Sequence, residues 1–381
     1  MEIILNTERI KKALSATQSV CSKKTILDIT QNVLFEIENN WLLVKATDTE
    51  IYLEISIETN NIKKTSLHKR ILINAKLAYE IIKDINDGEV IFIFSEKNCK
   101  IKTNFTKAEI NAYEQSTFPE IQLKTENILK IKNKNIVESI EYCAHLSVST
   151  LQKTGLGVIL FEVEQEKFKA TATDGHCLAN IVFKNEIESG GKNFNFLLSK
   201  KSSSDIKRIL ETMEESASEI FIGKSNDEIV FSNNQLTITA KTVREKFPEY
   251  KKILNKAYKN KITCHRNTFI KITKRLSLFT ENKFIPAKMI FENEKKTLNF
   301  KIENQLIGKN SEEMEIQNDE SKSEDSIYSV FPPYLLKAAM EMCGKSDMFE
   351  LNTNHPTEPM IFKSEMENEE RAYIVMPMRC D

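Results

Sequence analysis

The stretch Val33-Leu34-Phe35-Glu36 decides the fold, because close variants of it recur twice further along the chain. Ile159-Leu160-Phe161-Glu162 and Met289-Ile290-Phe291-Glu292 keep the same order of two or more apolar residues, Phe and Glu. The phenylalanines of the three copies lie 126 and then 130 residues apart. Self-similarity at a fixed period marks an internally repeated architecture. The sequence therefore predicts three homologous domains.

Two further motifs recur at nearly the same period. Ala46-Thr47-Asp48 returns as Ala172-Thr173-Asp174, and Phe118-Pro119 returns as Phe247-Pro248 and then as Met376-Pro377. Several matches in one order are much harder to attribute to chance than one match alone. The predicted domains are residues 1–126, 127–254 and 255–381.

Each predicted domain contains two helices on antiparallel strands. The first domain opens with apolar residues at helical spacing, Ile10, Ala13, Leu14 and Thr17. Apolar residues alternate from Ile51 to Ile57, which is typical of a half-buried strand. The expected second helices of the three domains span 74–85, 199–210 and 332–342. This pattern predicts an α+β fold class.

Composition limits the class of protein. Of the 381 residues, 40% are hydrophobic and 29% are charged, which is the balance of a globular protein. The seven cysteines form no C-x-x-C pair, so the sequence predicts neither a disulfide framework nor a metal site. The acidic segment 311–326 has little to bury and is expected to be a solvated loop. Without a basic n-region and long apolar core after Met1, a secretion signal is not expected, and the predicted location is the cytoplasm.

Catalysis is not predicted. Asp174, His176 and Cys177 are the residues that most invite a catalytic interpretation, but adjacent side chains on an extended segment point apart. The chain contains no G-x-S-x-G, GxxxxGK[ST], GxGxxG or HExxH motif. We expect no catalytic residues and no cofactor. A nuclease or hydrolase would reveal itself by turnover or by a metal requirement.

Basic residues recur on the second helices, although the formal net charge is only −1. Residues seven apart lie on nearly one helix face. The candidate DNA-contacting residues are Lys24, Lys76, Lys83, Lys200, Lys201, Lys207 and Arg208. Taken alone, each is more typical of a solvated helix face, and only its recurrence among the repeats favours contact with DNA. No aromatic residues interleave with them, so backbone attraction without base readout is the interaction expected.

Three motifs resemble those of the bacterial sliding clamp family, the beta subunit of the replicative DNA polymerase. They are Ala172-Thr173-Asp174-Gly175-His176, Lys246-Phe247-Pro248-Glu249-Tyr250 and the terminal Tyr373-Ile374-Val375-Met376-Pro377-Met378-Arg379. The resemblance covers essentially the whole chain. It implies a head-to-tail homodimer that forms a six-domain ring around duplex DNA, with helices inside and sheets outside.

The resemblance also implies a pocket for partner peptides, typically a Gln followed by hydrophobic residues. The residues at the family's pocket positions are Leu156, Thr173, Gly175, His176, Leu178, Pro248, Ile253, Phe284, Tyr334, Ile374, Val375, Met376, Pro377, Met378 and Arg379. Most of them are apolar, and methionine adapts to varied partner side chains. The implied partners are the polymerase catalytic subunit, the clamp loader and other proteins with a clamp-binding motif.

The resemblance extends to the subunit interface, where Ile110, Leu278 and Phe279 match apolar family positions. The chain departs from the family pattern at Cys177, where Arg is usual, and at Phe331, where Asn is common. Lys252 and the terminal Cys380-Asp381 are further departures. The expected function is a processivity factor, and the alternative is a protein-binding scaffold without topological linkage to DNA.

Overall fold

The computed structural model describes residues 2–21, 28–38, 40–59, 62–63, 70–95, 97–114, 118, 126–147, 156–164, 166–184, 187–188, 193–213, 219–225, 227–280, 284–318, 325–342 and 347–378. These residues form two compact units. The first unit comprises residues 1–140 and 187–244, and the second comprises residues 141–186 and 245–381. Each unit is described by itself below.

One order of elements occurs three times along the chain: strand, helix, five strands, helix, three strands. The first copy consists of β1 (Glu2–Asn6), α1 (Thr7–Val20), β2 (Asn32–Glu38), β3 (Trp41–Thr47), β4 (Ile51–Glu58), β5 (Ile62–Lys63), β6 (Arg70–Asn74), α2 (Ala75–Ile82), β7 (Glu89–Phe94), β8 (Asn98–Lys102) and β9 (Lys107–Glu114), with a 3-10 turn at Asp28–Gln31. The second consists of β10 (Glu126–Lys132), α3 (Asn133–Ala144), β11 (Val158–Glu164), β12 (Lys167–Thr173), β13 (Cys177–Lys184), β14 (Ile187–Glu188), β15 (Phe194–Ser199), α4 (Lys200–Met213), β16 (Glu219–Ser225), β17 (Glu228–Ser232) and β18 (Leu236–Lys241). A short helix α5 (Lys251–Leu254) precedes the third copy.

The third copy repeats the order without a change. It consists of β19 (Asn260–His265), α6 (Arg266–Ser277), β20 (Ala287–Glu292), β21 (Thr297–Asn304), β22 (Gly308–Glu315), β23 (Gln317–Asn318), β24 (Ser326–Val330), α7 (Pro332–Glu341), β25 (Met348–Thr353), β26 (Met360–Glu365) and β27 (Glu369–Val375). The predicted α+β class and the threefold repeat of elements are therefore both present.

In the described part of the first unit, fourteen strands form one sheet in the order β14-β10-β16-β17-β18-β4-β3-β2-β6-β9-β8-β7-β1-β5. The strands of the first and second repeats join where β4 pairs antiparallel with β18, placing Ile51 opposite Ala240. Helix α1 packs against both α2 and α4. Its buried face includes Ile10, Ala13, Leu14 and Thr17, as the apolar spacing predicts.

In the second unit, strands run in the order β11-β12-β13-β27-β26-β25-β19-β23, and a separate sheet has the order β22-β21-β20-β24. The second and third repeats join where β13 pairs with β27, placing Cys177 opposite Val375. Helices α6 and α7 pack together. Phe269 of α6 lies within 5.3 to 5.8 Å of the rings of Phe300, Phe349 and Phe362, edge to face. These rings form part of the unit's core.

The second helices begin close to the predicted residues. Asn74 precedes α2, and its side-chain oxygen accepts a hydrogen bond from the Leu77 N–H at 2.9 Å. Ser199 precedes α4, and its hydroxyl accepts one from the Ser202 N–H at 3.0 Å. Both contacts satisfy backbone donors that a helix start leaves unpaired. Phe331 precedes α7 and makes no side-chain cap.

Two expectations about local structure are wrong. Tyr52 lies between the alternating apolar residues Ile51 and Leu53, on the face that a half-buried strand turns to solvent, but it is buried with Leu34, Leu72 and Phe118. This end of β4 is therefore covered on both faces.

The acidic segment 311–326 is expected to be a loop, but residues 311–315 belong to β22, which pairs with β21, and residues 317–318 belong to β23. Residues 319–324 lie outside the described residues. Met314 is buried there, in β22, and Glu313 and Glu315 are exposed on the opposite face. Glu312 lies on the same face as Met314 and pairs with Arg275 of α6 at 2.6 Å.

Candidate functional site

The turn Thr173–Cys177 joins β12 to β13 and carries several predicted pocket residues. The Thr173 hydroxyl donates to the Cys177 carbonyl at 2.7 Å and accepts from the Gly175 N–H at 3.1 Å. One Asp174 carboxylate oxygen accepts from the N–H groups of His176 and Cys177 at 2.9 and 2.7 Å. Gly175 has φ +91°, in the left-handed region that favours glycine. Side chains of Thr and Asp thus fix this turn from within.

The chain's last described residues lie against this turn. The Met376 N–H donates to the His176 carbonyl at 2.9 Å, and the Met378 N–H donates to the Ser329 carbonyl at 2.8 Å. Met376 remains 37% exposed, and Pro377 and Met378 are half-buried. The backbone of the tail is therefore held in place while its apolar side chains face partly into solvent.

A row of four rings extends from the turn. The ring centroids of His176 and Tyr334 are 6.2 Å apart and nearly parallel. Those of Tyr334 and Phe331 are 5.0 Å apart and edge to face, and those of Phe331 and Phe284 are 4.9 Å apart. Phe284 is 66% exposed. We call these four residues the aromatic row. Exposed rings that adjoin a rigid turn are suited to binding an apolar ligand.

The segment before α5 is tied to the same sheet. The Tyr250 hydroxyl donates to the Glu162 carboxylate of β11, and Lys251 pairs with Glu162 at 2.9 Å. Pro248 is exposed, and Ile253 is half-buried. The Ile253 N–H donates to the Tyr250 carbonyl at 3.0 Å. Both predicted pocket residues of this segment therefore belong to a backbone anchored on β11.

The predicted pocket residues divide by exposure. Thr173, Leu178, Ile374 and Val375 are buried and support the site rather than line it. Those with accessible surface are Leu156, Gly175, His176, Pro248, Ile253, Phe284, Tyr334, Met376, Pro377 and Met378. A Cβ atom at Gly175 would lie 3.8 Å from Leu156 Cδ1, so these two residues are neighbours. Arg379 lies outside the described residues.

Burial controls the titration of the site's polar groups. Burial raises the pKa of the Cys177 thiol well above its ordinary value, and the Asp174 carboxylate adds to the shift. Burial also raises the pKa of the Tyr334 hydroxyl. Both groups are therefore neutral at pH 7. These two side chains therefore add no charge to the surface beside the turn.

The predicted DNA-contacting residues of the first unit are mostly paired with carboxylates. Lys83 pairs with Glu80, Lys207 with Glu211, and Arg208 with Asp205 along their own helices. Lys201 pairs with Asp48, which lies in the turn between β3 and β4. Within the described part of the chain, no ion pair is recorded for Lys76 or Lys200. Lys24 lies outside the described residues.

The predicted interface residues differ in their accessibility. Leu278 is 70% exposed and Phe279 is half-buried, both just after α6. Ile110 is only 4% exposed, because residues of β9 alternate between the core and solvent and Ile110 faces the core. Its side chain offers almost no surface to a second subunit, so only its backbone edge remains available.

Sequence reasoning missed several exposed apolar residues. Phe105 is 92% exposed at the tip between β8 and β9, and Leu306 is 78% exposed at the tip between β21 and β22. Large apolar side chains at hairpin tips are a signal that could have been found, because turns usually favour small polar residues. Phe331 was noted only as a departure, yet it lies in the middle of the aromatic row.

Two negative findings concern the described residues alone. No three of their His, Cys, Asp or Glu side chains are grouped so as to hold a metal ion. No described helix is long and apolar enough to cross a membrane. Two clefts of the second unit, of about 1100 Å³ beside Asn260 and about 710 Å³ beside Lys251, have linings of mixed charge, and no residue of the aromatic row lines either of them.

Comparisons with known proteins agree with the repeated fold. Residues 1–124 match the family described as the N-terminal domain of the DNA polymerase III beta subunit, and residues 129–249 match its central domain. The beta sliding clamp of Rickettsia felis is 23% identical over 390 residues, which cover 100% of both chains. That of Caulobacter vibrioides is 22% identical over 397 residues, again with 100% of both chains covered.

Solved structures give the same result. The DNA polymerase III beta subunit of Thermotoga maritima has a TM-score of 0.86 at 20% identity and covers 100% of both chains. A sliding clamp from Pseudomonas aeruginosa, bound to griselimycin, has a TM-score of 0.87 at 19% identity, again over 100% of both chains. Such similarity establishes the sliding-clamp fold. With family matches across residues 1–124 and 129–249, the chain belongs to the family of the bacterial DNA polymerase III beta subunit, the sliding clamp.

Proposed function

We propose that this chain is a DNA sliding clamp, a processivity factor that encircles duplex DNA and tethers the replicative polymerase. The observation that carries the proposal is the family match over a chain whose element order occurs three times. The role is one of tethering, and the chain has no catalytic site of its own. Its proposed domains are residues 1–126, 127–254 and 255–381, and its proposed location is the cytoplasm.

Ring closure follows from the equivalence of the repeats. The third strand after the first helix of one repeat pairs with the last strand of the next, as in β4 with β18 and β13 with β27. The remaining equivalent strands are β22 and β9. Strand β22 is at the end of its sheet, and residues 107–111 of β9 pair only with β8 in the described structure. We propose that β22 pairs with β9 of a second copy, which closes a head-to-tail homodimer.

Two exposed charges are suited to this pairing. Lys309 lies on β22 and Glu109 on β9, and both side chains are exposed. We propose that they attract each other across the closed interface. We expect Lys309→Glu to weaken the dimer, and a second change, Glu109→Lys, to restore it in sedimentation measurements. The exposed Phe105, Leu278 and Leu306 and the half-buried Phe279 would lose contact with water at or near this interface.

The proposed DNA contacts are Lys24, Lys76, Lys83, Lys200, Lys201, Lys207 and Arg208, acting on phosphates without base readout. Since four of them form ion pairs with nearby carboxylates, the electrostatic hold on DNA should be weak. A weak hold suits a ring that must slide, because the topological link then prevents dissociation.

The aromatic row, Leu156, Gly175 and the tail from Met376 to Met378 form the proposed peptide site. Its partners would be the polymerase catalytic subunit, the clamp loader and other proteins that carry a glutamine followed by hydrophobic residues. The partly exposed methionines favour such a role, since their flexible thioethers accommodate different side chains.

The same ion pairs support one alternative, a protein-binding scaffold without topological linkage, because a neutralised surface attracts DNA poorly. The deciding experiment loads the protein with clamp loader and ATP onto nicked circular duplex, isolates the complex by gel filtration and then linearises the circle. Loss of protein on cutting, with retention on the uncut circle, is the expected result. Equal retention on both forms would exclude the ring, and no retention on either would favour the scaffold.

A further inference from the structure

The residue that precedes the second helix differs among the three repeats. Asn74 and Ser199 cap α2 and α4 with their side chains, whereas Phe331 precedes α7 without a side-chain cap. Replacing a polar cap by an apolar residue costs a helix about 1 kcal/mol. An aromatic residue at this position therefore serves something other than the helix.

The Phe331 ring lies between Phe284 and Tyr334, at 4.9 and 5.0 Å from their centroids. Without it, the exposed Phe284 would be separated from Tyr334 and His176. Aromatic pairs contribute about 0.5–1.5 kcal/mol beyond the area they bury, so the contacts offset the missing cap. The row is not a core cluster, because its outer ring is 66% exposed. Phe331 thus joins separate rings into one continuous surface.

We propose that Phe331 is a specificity-determining residue, which makes the peptide site of this chain selective for an aromatic side chain. This inference rests on the proposed peptide-binding function. The rings of Phe284, Phe331 and Tyr334 offer faces and edges at the spacing that a further ring prefers. A Gln or Asn side chain would lose hydrogen bonds to water there, because the two phenylalanine rings offer no polar partner and Tyr334 offers only one hydroxyl. The selected residue flanks the part of the peptide that contacts Met376 and Gly175.

A cationic side chain is a competing occupant, because guanidinium groups also stack on rings. A nearby carboxylate would strengthen the binding of such a cationic side chain. The Asp174 carboxylate is engaged by two backbone N–H groups, and no member of the row is acidic. The chemistry of the row therefore favours a neutral ring.

The test uses synthetic peptides that contain a glutamine followed by hydrophobic residues, with Phe, Leu, Gln, Arg or Ala at one flanking position. Competition against a fluorescent peptide gives each affinity for the full-length protein. We expect the Phe peptide to bind about 5- to 10-fold more tightly than the Ala peptide, with Arg and Gln near Ala. In Phe331→Asn the ratio of the Phe-peptide affinity to the Ala-peptide affinity should fall to less than 2-fold.

The Tm of thermal unfolding distinguishes a role of Phe331 in peptide selectivity from a role in stability alone. Phe331→Asn supplies a capping side chain, so its Tm should stay the same or rise while selectivity is lost. Phe331→Leu keeps an apolar contact without a ring and should lose selectivity too. The control Asn74→Phe removes a cap in another repeat and should lower the Tm without changing peptide affinity.

Each outcome decides between distinct conclusions. An unchanged Phe preference in both Phe331 variants, or a preference of the natural chain for Arg, would overturn the inference alone. Uniform loss of all peptides in Phe331→Asn, with its Tm unchanged, would make Phe331 a general wall of the site rather than a selector. If the natural chain bound none of the peptides, the proposed peptide site itself would fail.

Discussion

Two turns of this molecule have nearly the same hydrogen bonds but different surroundings. In the first unit, Thr47 donates to the Ile51 carbonyl at 2.8 Å, and Asp48 accepts from the N–H groups of Glu50 and Ile51. In the second unit, Thr173 and Asp174 make the equivalent bonds to residues 175–177. The Thr-Asp pair therefore sets the backbone in both places, and it does not by itself make a site.

What differs is the residue at positive φ and what lies outside the turn. Thr49 occupies φ +77° in the first turn, and Gly175 occupies φ +91° in the second. Asp48 pairs with Lys201 of α4, whereas the carbonyl beside Gly175 accepts from Met376. An ion pair between Asp48 and Lys201 covers the first turn, whereas partly exposed apolar side chains border the second. The second turn, and not the first, therefore belongs to the proposed peptide site.

The largest effect should come from removing the tail that borders the second turn. Truncation after Val375 deletes Met376 and Met378, whose backbones bond to His176 and Ser329. We expect loss of peptide affinity by about 100-fold or more, in the range of a binding hot spot. Fluorescence polarisation measures it. Deleting only Cys380 and Asp381 is the control, and sedimentation should show an intact dimer for both. Unchanged affinity after the longer truncation would contradict the site assignment.

Exchanging the positive-φ residues should move stability in opposite directions. Gly175→Ala places a side chain in the left-handed region, which costs about 1–2 kcal/mol in the free energy of unfolding. Thr49→Gly removes a β-branched residue from that conformation. We expect the free energy of unfolding to rise by about 1 kcal/mol, after allowing for the greater conformational entropy of glycine in the unfolded chain. Urea denaturation gives both values. A stabilising Gly175→Ala would show that the shared turn does not require glycine.

A smaller effect concerns the strands that support the second turn. Hydrogen bonds from Lys169 and Lys251 lower the pKa of Glu164 to about 2, against about 4.3 in an unfolded chain. A depressed carboxyl pKa stabilises the fold above the unfolded value, and the benefit is lost as pH falls towards 2. Since the Glu164 side chain is 37% exposed, Glu164→Gln should cost well under about 1 kcal/mol at pH 7. The difference in the free energy of unfolding between Glu164→Gln and the natural chain should shrink steadily below about pH 4.3. A difference that stays constant with pH would contradict this role of Glu164.

The smallest effect tests the charge that closes the first turn. Lys201 is already paired with Asp48, whereas no ion pair is recorded for Lys200 in the described structure. Log affinity for duplex DNA falls as log salt rises. Lys200→Ala should therefore make this slope less steep by up to about 0.9, and Lys201→Ala by less. Filter binding over a series of salt concentrations gives both slopes. Equal slopes would mean that DNA displaces Asp48 from Lys201.

Local signals in the sequence predict the repeated fold well. Asn74 and Ser199 lie where the helix starts were expected, and the Thr173-Asp174-Gly175 turn follows from the preferences of these residues. The errors come from tertiary packing. Tyr52 is buried by Leu34 and Leu72, which are distant in sequence, and the acidic strand at 311–315 is stabilised by pairing with β21.

The candidate site was predicted only in part, for a similar physical reason. The role of Phe331 depends on rings at residues 284 and 334, and no periodicity in the sequence indicates their contact. The ion pair of Lys201 was not predicted, because its partner Asp48 lies 153 residues away along the chain. The Arg208–Asp205 pair, by contrast, has helical spacing and could have been foreseen.

The burial of Cys177 beneath the second turn has a practical consequence for chemical labelling. Its thiol is 3% exposed, and its raised pKa keeps it protonated, so it is a poor nucleophile in the folded chain. An electrophilic inhibitor placed in the site would find no reactive sulfur there. The rate at which iodoacetamide modifies Cys177 would instead report how often β13 separates from β27. Cys177 can therefore serve as a probe of local opening at that junction.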